Sequence, residues 1–560
     1  MKVLRHGYIV LYALFILSCA RQTTPTGGPR DSIPPTLVQS QPQNGTINFK
    51  ANSIQLVFNE AVILNNPREQ ILITPDLGKP VEARVKKNTV IIDLDTELQP
   101  NTTYSVNFRE GVQDITEKNP AQNLKLAFST GIYIDSLTIT GKVIDALTTK
   151  ESKDATVALF QSDTFNIFVY RPTYFTKADA KGVFKLENLK AGNYYLYAFD
   201  DKNKNLIVDS KTESYGFVQD LLPLTKNLDS IRVPMVRLDS RPLVLTGARP
   251  SGTFFNIKAA KNMESYAIRS STEPIVSSFG EDFANIRVYN TFQNRDSVEI
   301  RFTATDSIQH QIDTTLYVKF QERVIKPEAF QFQMNDLQVI GTKGVIKGNL
   351  KFNKPVRSIN YDSVFYRFDS LNQVHLTKQD IHWDSLRNLL SFEKQFDKNL
   401  LPKTESAATQ QRPRANNPSA NQKKSTTQEF YLGKGAFISI ESDSSRRLVE
   451  KSAPTTLEST GIILVEVQTP APHFFVQLLN KDFKVLATIR NSKKFNFEDL
   501  KPGDYQLRLV IDSNNTGTWD PGNFYDNRPP ETIYLYLNEK NVPIINLKAN
   551  WELGPLLIKG

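Results

Sequence analysis

Apolar and polar residues alternate in short runs along most of the chain. Ile54, Leu56 and Phe58 form one such run, and Val90, Ile92 and Leu94 another. Tyr104, Val106 and Phe108, then Leu124, Leu126 and Phe128, continue the pattern. A period of two puts every second side chain on one face of a strand, so each run reads as a strand with one face buried. Turn residues (Asn, Gly and Pro) separate the runs, which predicts antiparallel sandwiches. Comparable runs occur at 139–143, 157–160, 184–199, 286–289, 298–302 and 316–320. A chain of 560 residues is too long for one core. Its 34 Phe and 20 Tyr against 4 Met also favour strands. The predicted fold class is all-β, with tandem β-sandwich domains.

The N-terminus departs from the pattern. Residues 8–17 are continuously apolar and follow Lys2 and Arg5. Ten residues fall short of the roughly 18 a spanning helix needs, and the arrangement is that of an export signal over 1–18. The segment Ile16-Leu17-Ser18-Cys19 resembles a bacterial lipobox. That resemblance implies that Cys19 is acylated and attaches the protein to a membrane by lipid. The alternative is a plain secretory signal with a chance cysteine. Cys19 is the sole cysteine, so no intramolecular disulfide can form. Residues 19–32, rich in Thr, Pro and Gly, read as a flexible tether. Ala20 stands where an Asp would imply retention at the inner membrane, so the outer membrane is expected, with its face left open. The net charge of +9 is spread among acidic residues without a basic run. That excludes a nucleic-acid groove and leaves a solvated surface.

Five segments carry a family resemblance: Ile33-Pro34-Pro35-Thr36, Pro42-Gln43-Asn44-Gly45, Leu56-Val57-Phe58-Asn59-Glu60-Ala61-Val62, Leu98-Gln99-Pro100-Asn101-Thr102-Thr103-Tyr104 and Phe128-Ser129-Thr130-Gly131. In order and spacing they resemble the bacterial Ig-like domain of surface-layer proteins, which implies such a domain at 33–131. With the tether, the start resembles multidomain Ig-like lipoproteins of Bacteroidota. The 114–119 turn is longer than the family's tight Gly-Asn turn. The stretch from Gly182 to Tyr194 resembles prealbumin-like, carboxypeptidase-regulatory-like sandwich modules, and it recurs. Phe495, Leu500, Gly503, Tyr505 and Leu507 fall on Phe184, Leu189, Gly192, Tyr194 and Leu196 without a gap. Two copies of one module are expected, at 132–238 and 461–560. Between them, 239–330 reads as a β-rich domain. Residues 331–460 read as a sandwich whose Leu350-Lys351-Phe352-Asn353-Lys354-Pro355-Val356 echoes the first Ig-like domain. Residues 403–428 carry almost no apolar residues, so burial cannot offset the entropy of ordering them, and they read as a disordered insertion.

Candidate chemistry is sparse. Asp201, Asn203, Asn205 and Asp209 stand at positions 1, 3, 5 and 9 of a loop. Asp512, Asn514, Thr516 and Asp520 stand at the same positions of its copy, with Gly517 permitting a sharp turn. Alternating oxygen ligands suit Ca²⁺ in a rigidifying role. Asp and Asn also cap turns through their own backbone without metal, and neither copy carries a Glu at position 12. Tyr194, Tyr195 and Tyr197 offer either a glycan-stacking face or core. His310, His375, His382 and His473 match no ligand or catalytic spacing, and no nucleophile motif occurs. The expectation is a non-enzymatic scaffold or binding protein of the cell envelope, held to the membrane by lipid. Its partner would be an envelope protein or glycan. The alternatives are a carbohydrate- or protein-binding component of an outer-membrane assembly, and a hydrolase with a site inside 239–460. The anchor would place the first domain nearest the membrane and the later Asp/Asn loop at the far end.

Overall fold

A computed structural model describes residues 31–161, 166–272, 274–291, 297–321, 326–401 and 428–560. Cys19, and all of 403–428 except Gln428, lie outside these residues. The regular structure of the described chain is nearly all β-strand. Its one α-helical piece is the single turn Pro67–Gln70, and no described helix is long and apolar enough to cross a membrane.

Five sandwiches follow one another, each around its own core. In the first, one sheet runs in the order Leu37–Gln41, Ser53–Phe58, Thr89–Asp93, Glu82–Lys86. It faces a sheet of Leu72–Thr74, Thr103–Asn107 and Lys125–Ser129. Ile54, Leu56 and Phe58 meet Val106 and Phe128 in the core, while the residues between them face outward. The alternation thus does what period two requires.

The same strand order appears twice more. In the third sandwich, Leu245–Ser251, Phe254–Ala259, Asn285–Tyr289 and Ser277–Phe279 face Ser265–Arg269, Val298–Thr305 and Gln311–Val318. In the fourth, Phe332–Ile340, Val345–Phe352, Leu389–Gln395 and Ile381–Asp384 repeat the first sheet. The small pair Val356–Ile359 with Phe437–Ser439 repeats Val62–Leu64 with Val112–Asp114. The echo between 56–62 and 350–356 extends to one hydrogen bond. Asn59 accepts the Thr36 N–H at 2.7 Å, and Asn353 accepts the Gln331 N–H at 2.8 Å.

The second and fifth sandwiches share another topology, in which the first and last strands lie side by side in parallel. These are Leu137–Asp145 with Leu228–Met235, and Gly461–Gln468 with Glu552–Lys559. The repeated residues hold equivalent places. Phe184, Leu189, Tyr194 and Leu196 are core; of their counterparts, Tyr505 and Leu507 are core, and Phe495 and Leu500 pack half-buried against it. The Tyr194 hydroxyl donates to the Lys190 carbonyl at 2.8 Å, and the Tyr505 hydroxyl to that of Lys501 at 2.6 Å. Each tyrosine buries its ring and satisfies its polar tip locally.

The fifth sandwich is not at a far end, where the later Asp/Asn loop was expected. It folds back onto the second and third. Phe524 inserts among Phe168, Tyr197 and Phe217 of the second sandwich, with ring centroids 5.0, 6.1 and 6.1 Å away. Leu147 of the second sandwich packs against Phe475, Val510 and Ile533 of the fifth, and its carbonyl accepts from Arg508 at 3.2 Å. Both modules carry apolar residues on the outer face of a sheet, and burying those faces against each other is favourable.

Candidate functional site

The paired Asp/Asn loops are built by their own backbones. Asp201 accepts the N–H groups of Asn205 and Leu206 at 3.0 and 3.3 Å. Asn203 accepts from Asn205 N–H at 3.2 Å, and Asn205 from Ile207 N–H at 2.8 Å. Asp209 accepts from Lys211 N–H and the Thr212 hydroxyl. In the copy, Asp512 accepts from Thr516 and Gly517 N–H at 2.9 and 2.8 Å. Asn514 accepts from Thr516 N–H and donates to Asp520 at 2.8 Å. The Thr516 hydroxyl donates to the Thr518 carbonyl, and Asp520 accepts from Gly522 N–H. Gly517 takes the left-handed backbone, with φ +74°, that closes this turn.

Sequence reasoning missed the carboxylate that organises each loop. Buried Glu213 accepts the N–H groups of Lys202 and Asp209, each at 2.8 Å. Buried Glu531 accepts those of Ser513 and Asp520 at 2.8 and 3.0 Å. These N–H groups hold matching places in the two copies, so the two glutamates do one job. Glu213 follows Asp209 by four residues and Glu531 follows Asp520 by eleven, so seven extra residues break the ungapped alignment. The longer stretch carries Phe524. A cation of the chain also lies on each loop: the Lys177 ammonium is 3.8 Å from Asp201, and Arg528 pairs with Asp520. Burial holds the Lys177 ammonium below its usual pKa, with Asp201 pulling the other way. Among the described residues no group of three or more His, Cys, Asp or Glu is placed to hold a metal ion.

Both loops are domain joints. In the first, Leu206 packs with Phe175 and with Leu72 of the Ig-like domain, and Lys204 pairs with Glu69 across the same boundary. In the second, Asn523 donates to the Ile308 carbonyl of the third sandwich at 3.3 Å. Tyr525 donates to the Ser240 carbonyl at 3.2 Å, and Asn527 to that of Gln219 at 3.0 Å.

A second device holds the chain where it enters the first, third and fourth sandwiches. Lys354 follows the strand Val345–Phe352 with its side chain 2% exposed. Its ammonium meets Glu441 at 2.5 Å and Asp443 at 3.1 Å, and donates to the carbonyl of Glu328 in the incoming linker. Lys261 holds the same place in the third sandwich. It pairs with buried Asp306 at 2.5 Å and donates to the linker carbonyl of Asp239 at 2.9 Å. In the first sandwich an amide replaces the lysine: Asn119 donates to buried Asp114 at 2.7 Å and to the Asp31 carbonyl at 3.0 Å. Burial lowers the affinity of Lys354 for its proton, but Glu441 and Asp443 outweigh it and raise the pKa above the ordinary lysine value. Burial likewise pushes Asp443 up, and Ser439 and Lys354 outweigh that and hold it low. For Asp114, the N–H groups of 117–119 and the Asn119 amide overcome burial in the same way.

The remaining sequence candidates do not converge. Tyr194 is core, and Tyr197 lies under Phe524 rather than on an open platform. His310 sits 3.2 Å from Asp306 beside the Lys261 pair. His375 lies against Phe365, and exposed His382 is on a groove across the fourth sandwich. The groove's Asp380 is committed to Thr377 and Lys394.

Residues 31–130 match the bacterial Ig-like domain family. No curated protein matches the sequence. Solved structures that resemble the chain include the Bacillus anthracis TIE protein, at 10% identity and a TM-score of 0.13, covering 96% of this chain and 75% of that one. They also include BcpA, the major pilin subunit of Bacillus cereus, at 9% identity and 0.13, covering 76% and 99%. Domains 1–6 of the surface layer protein SbsC align at 10% identity and 0.13, covering 92% and 68%.

Proposed function

We propose that the chain is a non-enzymatic scaffold of the bacterial cell envelope, held to the outer membrane by lipid on Cys19. The observation that carries the scaffold reading is the construction of the joints. Side chains with the chemistry of a site (Lys261, Lys354, Glu213, Glu531) are spent on fixing linkers and loops. The Asp/Asn loops serve as contacts between sandwiches. The lipobox-like segment supports the anchor, and the Ig-like domain over 31–130 agrees with a scaffold. A scaffold of this kind works by holding a partner, and an envelope protein or glycan fits that role.

Metabolic labelling with a palmitate analogue is expected to mark the wild-type chain in membrane fractions and to leave Cys19→Ala unlabelled and soluble. A wild-type chain that takes up no label removes the anchor. Crosslinking in intact cells followed by affinity capture is expected to return one envelope component reproducibly. If only the bait is recovered, the scaffold reading fails.

A further inference from the structure

A cleft of about 670 Å³ opens between the first and second sandwiches. That volume lies in the range of small-molecule sites, about 300–1,000 Å³. Leu72, Phe175 and Leu206 form its floor, where the first Asp/Asn loop meets the Ig-like domain. Most charged groups around it are already neutralised. Arg171 pairs with Asp76 at 3.0 Å, Arg109 with Asp154 at 2.7 Å, Lys204 with Glu69, and Lys177 with Asp201. The two left over are Arg68 and Lys79, exposed on the cleft's lining and without an ion-pair partner among the described residues.

We infer that this cleft binds an anionic amphiphile, a single carboxylate or phosphate head on an unbranched alkyl chain. The head meets Arg68 and Lys79, the two cations of the lining without an ion-pair partner among the described residues. The alkyl chain lies along the floor, where burying its apolar surface is favourable. A sugar is the poorer fit. Its hydroxyls need a ring of free donors and acceptors, and here those groups are tied up in ion pairs. A bare phosphate leaves the apolar floor unused. Because the two walls belong to different sandwiches, a bound chain would also brace them against each other.

The test is calorimetric titration of the full-length chain with dodecanoate, dodecanol and inorganic phosphate in separate arms, each lipid below its micelle concentration. Dodecanoate is expected to bind near one equivalent, dodecanol at least about tenfold more weakly, and phosphate not measurably. The Arg68→Ala/Lys79→Ala double variant is expected to keep its melting temperature, since both side chains are exposed. It should lose dodecanoate affinity by about tenfold. Absence of dodecanoate binding overturns the inference, as does binding that the double variant leaves unchanged. Phosphate binding as tight as dodecanoate would make the cleft an anion site without an alkyl subsite, and would overturn it equally.

Discussion

Lys354 and Lys261 show how much one buried charge can organise. Each lysine neutralises a loop carboxylate and also holds a linker carbonyl, so a single ammonium fixes three segments. Removing it leaves a buried carboxylate without its partner, which typically costs about 3 kcal/mol or more. The partners of Lys354, Glu441 and Asp443, keep 14% and 33% of their side chains exposed, so Lys354→Met is expected to destabilise the fourth sandwich by less, about 1–2 kcal/mol. It should also speed amide exchange in 326–331, a readout that separates the linker from the core. The pH dependence follows from the two shifts. Asp443 sits below its usual value, so the unfolded chain binds more protons there, and the contribution fades as pH falls below about 4. Lys354 sits above its usual value, so its contribution is full below about 10.5 and is lost as pH rises beyond. A transition with no plateau between those limits would rule this arrangement out. None of it was legible in the sequence, because a lysine next to a strand reads as surface and its partners lie 87 and 89 residues away.

At the scale of the element, the repeated module was legible and the loop's purpose was not. The spacing of Phe184, Leu189, Gly192 and Tyr194 identifies a strand, a turn and a returning strand, and the copy repeats them. The glutamate that completes the loop was hidden, because seven inserted residues separate Glu531 from the place Glu213 marks. The third sandwich escaped a family assignment for a similar reason. It keeps the strand order of the first, but at 259–261 it carries Ala-Ala-Lys where the first has Phe-Asn-Glu at 58–60. The loops' oxygens already accept backbone N–H groups, and Lys177 and Arg528 supply positive charge. A chelator is therefore expected to leave the melting temperature within about 1 °C, whereas Glu531→Gln should lower it by about 4 °C or more. A Ca²⁺-dependent rise in melting temperature would instead return these loops to metal binding.

At the scale of the whole molecule, alternation predicts sandwiches but is silent on how they stack, because contacts between domains have no period. Phe524 was legible only as one aromatic residue in a turn, yet it joins the fifth sandwich to the second. Phe524→Ala is expected to weaken that contact by about 2 kcal/mol. Small-angle scattering should then show a larger radius of gyration than wild type. Equal radii, with both chains extended, would mean that the folded-back arrangement does not persist in solution. The parallel pairing of first and last strands carries a further consequence. In the second sandwich the chain enters at one end of that pair and leaves at the opposite end. Tension along the chain therefore slides the two strands past each other and loads their hydrogen bonds together, rather than peeling them one at a time. Force applied across the ends of this sandwich would meet its resistance in that shear geometry.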